Sequence, residues 1–136
     1  VSLFVDTSIW YAAASTGDRH NPRAKELLAG ERRVLTDHVL AETWRLIAHR
    51  ISWRAAERWW GGIRSGVAEL ETVVEADLER AWGIGERFPD QSFSVTDRTS
   101  MAVMERLGIT RVATLDDDFA VYRYGPARDR AFTIVR

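Results

Sequence analysis

Short β-prone apolar runs alternate along this chain with longer stretches of helical period, and that alternation constrains the fold more than any other feature. Val1 to Val5 is almost continuously apolar, as suits a strand buried on both faces of a parallel sheet, and it stops abruptly at Asp6-Thr7-Ser8. Either hydroxyl there is suited to cap a helix through Ile9, Trp10 and Ala14. Asn21-Pro22 reads as an N-cap and first-turn proline, opening a helix that Gly30 closes. Arg33 to Thr36 is a short strand, after which Asp37 is the expected cap of a helix whose apolar face is Val39, Leu40, Thr43, Trp44, Ile47 and Ile51. Ser52 opens a further helix that carries Trp53, Trp59 and Trp60 and ends among Gly61, Gly62 and Gly66.

Leu70 to Val74 reads as a third strand, and Leu78, Ala81, Trp82, Gly85 and Phe88 mark the next helix. Ser94-Val95-Thr96-Asp97 has capping-box spacing and leads into Met101, Met104 and Leu107 before Gly108. Arg111 to Leu115 and Phe132 to Val135 are the last strands, joined through an acidic turn at Asp116-Asp117-Asp118. The order predicts an α/β fold with a mostly parallel sheet of about five strands flanked by helices. With no repeat or linker, residues 1–136 read as one domain.

Composition narrows the function classes. At 136 residues, with 46% apolar and 29% charged side chains, the chain is long enough to bury a core, roughly 68% of its unfolded surface, without staples. It has no cysteine, which excludes disulfides and thiolate zinc sites. No apolar run approaches the roughly 20 residues of a membrane span and no secretory segment is evident, so the expectation is a cytoplasmic protein with no membrane partner. A net charge of -1 argues against polyanion binding by bulk charge; 18 of the 19 cations are nevertheless arginine, the better fork for phosphate.

Ligands of open α/β sheets bind beyond the carboxyl ends of the strands. Asp6 and Asp116 directly follow strands, and Glu42 and Asp97 lie early in helices that start at the same sheet edge, so four carboxylates are expected to converge there. Singly, each has a plainer account: Asp6 as a cap, Glu42 as a solvated residue, Asp97 as the partner of Ser94, Asp116 to Asp118 as an exposed turn. Together they would repel unless a cation neutralised them, and oxygen-only donors select Mg²⁺ or Mn²⁺. Such ions lower the pKa of water and polarise phosphoryl oxygens, which points to phosphodiester hydrolysis.

Four segments in this order resemble the PIN-domain ribonucleases, and among them the VapC toxins of toxin-antitoxin pairs: Val5-Asp6-Thr7-Ser8, Val39-Leu40-Ala41-Glu42-Thr43, Ser94-Val95-Thr96-Asp97 and Thr114-Leu115-Asp116-Asp117-Asp118-Phe119. The resemblance covers essentially the whole chain. It implies Asp6, Glu42, Asp97 and Asp116 as catalytic and metal-holding acids, with Asp118 supporting or replacing Asp116. Thr7 and Ser8 match a place where the family sets a hydroxyl beside the metal, although capping explains them equally. It further implies Mg²⁺ or Mn²⁺ as cofactor, a structured RNA substrate (tRNA or rRNA), a homodimer, and a cognate VapB-like antitoxin.

Arg98 departs from the small or neutral residue more usual after the third acid. It either pairs with Asp97 or contacts an RNA phosphate; a solvated or phosphate-facing Arg98 is the expectation. Arg45, and with it Arg19, Arg23 and Arg123, are further candidates to hold phosphates. His38, one turn before Glu42, is suited to support it or move a proton, though a surface role is the commoner one. Trp59 and Trp60 must diverge on their helix, so some of these rings face outward, which makes the Trp-rich helices a candidate surface for antitoxin or dimer. A non-catalytic interaction module on the same fold is the rival reading. A phosphoaspartate hydrolase is disfavoured because position 8, where a second Asp is needed, is Ser.

Overall fold

A computed structural model describes residues 2–136. Its elements are β1 (Ser2–Val5), α1 (Thr7–Ala14), α2 (Asn21–Ala29), β2 (Arg32–Thr36), α3 (Asp37–Arg50), α4 (Trp53–Gly62), β3 (Glu69–Glu71), α5 (Glu75–Arg87), α6 (Val95–Leu107), β4 (Arg111–Ala113), α7 (Asp118–Val121) and β5 (Thr133–Val135). A π turn, Ile63–Val67, continues α4 and ends where Gly66 takes the left-handed backbone (φ 100°) that a Cβ disfavours. Val1, expected to begin the first strand, lies outside the described residues.

The five strands form one sheet in the order β3-β2-β1-β4-β5, every pairing parallel. β1 takes the centre because Leu3, Phe4 and Val5 are all buried, an apolar run that only helices on both faces can cover. The chain builds outward from β1 through β2 to β3, then returns to the other side of β1 for β4 and β5. The strand order therefore reverses between β1 and β4, which creates the crevice where ligands of such sheets bind.

Several elements differ from the sequence expectation in instructive ways. The Asp6 backbone, not Thr7 or Ser8, occupies the N-cap of α1, and no side chain caps that helix. Asn21 is not a cap either: His20 takes that position, and the buried Asn21 amide donates to the carbonyls of Ala12 and Ala13, tying off α1. Thr36, not Asp37, caps α3 through Val39 N, while Asp37 accepts from Val73 N at 2.8 Å and holds the segment after β3. On α5 the buried residues are Asp77, Ala81 and Ile84, whereas Leu78 and Trp82 are exposed. β3 is shorter than expected and sits at the sheet edge. Asp118, expected in a turn, begins α7.

The helix starts at Ser52 and Ser94 match the expectation, each hydroxyl accepting from the backbone amide three residues on. Among the tryptophans, Trp10 is buried with its Nε1 donating to Val5 O, and Trp59 packs edge-on against it. Trp53 and Trp60 face outward, as their spacing on α4 requires.

Candidate metal centre

Asp6, Asp97 and Asp116 meet at the crevice between β1 and β4, each offering a carboxylate oxygen within 4.8 Å of the others. Asp6 arrives there because β1 ends at the sheet centre, and its side chain is free for the crevice because it caps nothing. Its Oδ2 accepts from Thr114 Oγ1 at 2.8 Å and from Ser8 Oγ at 3.2 Å. The same two hydroxyls accept backbone N–H groups, Ser8 from Leu115 and Thr114 from Asp116, so the loop after β4 is fastened to the residue that precedes α1. Thr114 is a site residue that sequence reasoning missed. Its signal was a lone hydroxyl ending the apolar run of β4, directly before the acids.

Asp97 is set by the capping box of α6: its N–H donates to Ser94 Oγ at 3.0 Å and its Oδ2 accepts from Ser94 N at 3.3 Å. Capping and cluster membership are thus compatible in one side chain. Burial, opposed by the Thr114 and Ser8 hydroxyls and increased by Asp116, pushes Asp6 up to about 6. Burial, a hydrogen bond with Asp118 and repulsion from Asp6 push Asp97 up to about 7. Asp116 is also raised, by burial first and then by Asp118 and Glu42.

Asp118 therefore belongs to the acidic group through both Asp97 and Asp116. Glu42 does not join the three; it is exposed on α3 and acts on Asp116 at longer range. Asp117 turns away to Arg136 at 3.2 Å. The donor set suits a hard divalent cation, because carboxylates this close, two of them buried, hold protons they would release to a metal. A second observation agrees: the buried Thr7 hydroxyl beside Asp6 has no hydrogen-bond partner.

A cleft of about 790 Å³ opens from this crevice, with Thr7 and Thr96 at its carboxylate end and His38, Glu42, Arg45 and His49 along α3. His38 Nδ1 is 3.0 Å from Thr99 Oγ1 on α6, so its ring is held at the cleft wall rather than on Glu42. Arg98 forms no pair with Asp97. It lies along α5, donating to Ala81 O at 3.3 Å and to Ser94 O at 3.4 Å, in a slot that exists because Gly85 has no Cβ to collide with its guanidinium. Arg98 is not among the residues that line this cleft, whereas Arg45 is. Arg23 pairs with Glu26, Arg19 with the His20 ring, and Arg123 donates to carbonyls at the end of α7.

The family profile described as PIN domain matches residues 3–123. The chain is 38% identical over 126 residues to the 23S rRNA-specific endonuclease VapC20 of Mycobacterium tuberculosis, covering 87% of this chain and 92% of that protein. The crystal structure of that VapC20, described as a sarcin-ricin loop cleaving toxin, superposes with a TM-score of 0.81 over the same shares of the two chains at 37% identity. A structure of VapBC2 from Rickettsia felis, bound to a DNA fragment from their promoter, shares the fold at a TM-score of 0.70 and 12% identity, covering 99% of this chain and 98% of that one.

Proposed function

The chain belongs to the PIN domain family, and from that premise we propose that it is a divalent-metal-dependent endoribonuclease toxin that cuts ribosomal RNA. The observation that carries the reading is the set of three carboxylates, two of them buried and raised toward neutrality, gathered where the strand order reverses. Asp6, Asp97 and Asp116 would hold Mg²⁺ or Mn²⁺, with Glu42 and Asp118 assisting at its margin. When bound, the ion supplies Lewis-acid polarisation of the scissile phosphoryl group and a more acidic water.

The chain's own residues do the rest. Ser8 and Thr114 orient Asp6 and favour its ionised form, Ser94 orients Asp97, and Asp118 stands beside Asp97 and raises its proton affinity. Thr7 offers its unpartnered hydroxyl toward the same end of the cleft. The likeness to VapC20 supports 23S rRNA as substrate class, the shared fold with a VapBC2 structure supports a cognate VapB-like antitoxin as partner, and a homodimer is the working assembly that the family resemblance implies. Among the described residues no helix is long and apolar enough to cross a membrane.

Purified protein incubated with 23S rRNA in Mn²⁺ or Mg²⁺ should give a discrete cut that chelator abolishes. Asp6→Asn should lower the rate at least about a hundredfold, the scale of losing a group that acts in the transition state. Intact RNA from a folded, ion-loaded sample would return the interaction-module reading.

A further inference from the structure

The cleft beside the carboxylates is divided by charge along α3. His38, Glu42, Arg45 and His49 follow at i, i+4, i+7 and i+11, so they form one stripe on one helix face, about 16 Å long at 1.5 Å per residue. Glu42, one turn after His38, is the acid of the stripe and acts on Asp116, and Arg45 and His49 continue along the helix beyond it. Both are exposed, and among the described residues neither makes a side-chain hydrogen bond or ion pair. Other arginines are committed: Arg23, Arg32, Arg80, Arg106, Arg111 and Arg136 each pair with an acid.

Leu46, half-buried between Arg45 and His49, gives this end of the cleft an apolar ledge. A second cleft of similar size carries Arg80, Arg87, Arg106 and Arg130, but two of these are neutralised by Glu105 and Asp77, and Glu79 shares the lining. It offers a polyanion far less.

The geometry points to a substrate track: the RNA strand that leads away from the scissile phosphate lies along α3, with Arg45 and His49 donating to its phosphates and Leu46 beneath a sugar or base. This assignment rests on the nuclease reading and names where that substrate is held. Arg45 presents a fork to phosphate oxygens, and an imidazole has a donor in either protonation state. The metal end and the cationic end then divide the work, one for the reacting phosphate and the other for its neighbours. Neither residue touches the reacting atoms, so their contribution falls on substrate binding.

The test uses an RNA bearing the sarcin-ricin loop, with cleavage followed for the wild type and binding followed in an Asp97→Asn background. Replacing both residues (Arg45→Gln with His49→Gln) should raise KM and Kd about tenfold and reduce the salt slope by one to two phosphate contacts. The turnover number should stay within about twofold, and Arg54→Gln, an exposed α4 site outside the cleft, should change none of these. Unchanged KM, Kd and salt slope in the double variant, or binding absent altogether, would overturn the track. Cleavage that fails in the wild type while binding still depends on Arg45 and His49 sinks the nuclease reading and leaves the track standing.

Discussion

Thr114 has no ionisable group, yet two features of the centre hang on its hydroxyl: the charge of Asp6, to which it donates at 2.8 Å, and the backbone of Asp116, from which it accepts. Thr114→Val keeps the shape and removes both bonds. Without the donor that favours its ionised form, Asp6 rises further above 6, so the acidic limb of the pH-rate profile moves to higher pH. Divalent-ion affinity should fall about ten- to a hundredfold, as for other groups that orient a ligand from behind. Calorimetric titration of Mn²⁺ and a pH-rate series read the two effects, and an unmoved acidic limb would refute the role. Arg98 carries the opposite lesson: its position beside Asp97 suggests a phosphate contact, but the small Gly85 on α5 draws its guanidinium away.

At the scale of elements, α6 is the helix whose placement matters most, because its first turn delivers Asp97 to the crevice. Both ends are defined locally, by the Ser94 capping box and by Gly108 in the left-handed region (φ 69°). Ser94→Ala leaves Asp97 N without its acceptor and should cost about 1 kcal/mol. For a domain of this size that lowers Tm by roughly 3–5 °C, measurable by calorimetry. Its partner α5 is joined to it by a bidentate pair between exposed Arg106 and buried Asp77, at 3.0 Å for both bonds. Burial raises Asp77, but Arg106 and the Val74 amide outweigh it and hold the carboxyl below its ordinary range, so this pair stays ionised while the centre's acids tend toward neutrality. The caps at Ser52 and Ser94 were legible because serine and its partner amide lie within one turn. Asn21 and Asp37 carried the same local pattern, but carbonyls of α1 and the amide of Val73 claimed their side chains instead.

For the whole molecule, the acidic crevice makes the metal-free fold sensitive to pH. Asp6 and Asp97 bind protons more tightly folded, at about 6 and about 7, than in the unfolded chain, where the ordinary value is 3.8. Between about pH 4 and 7 the folded state holds the extra protons, so metal-free stability falls as pH rises through that window. We expect Tm to drop by about 5 °C from pH 5 to pH 7.5, on roughly 1–2 kcal/mol, and Mn²⁺ at pH 7.5 to restore it. Asp97→Asn should flatten the pH dependence and raise the metal-free Tm at pH 7.5. A metal-free Tm that climbs over the same window would contradict the repulsion inferred here. Ion binding and removal of a charge thus act in the same direction on stability and in opposite directions on cleavage.

Period and punctuation along the chain were enough to establish the α/β alternation, the central apolar strand and the four acids that follow strands or open helices, because each depends on neighbours within a few residues. The sheet order was not legible, since parallel pairing joins residues separated by whole helices. That order brings Asp6 beside Asp116 and leaves Glu42 on the cleft wall outside the three. Local spacing also could not rank the faces of α5, where Leu78 and Trp82 look like core and Asp77 does not; the pair with Arg106, 29 residues away, reversed that reading. Sequence determined which residues carry charge and where elements begin. Tertiary packing decided which charges meet, because a carboxylate's proton affinity depends on the burial and the neighbours that folding supplies.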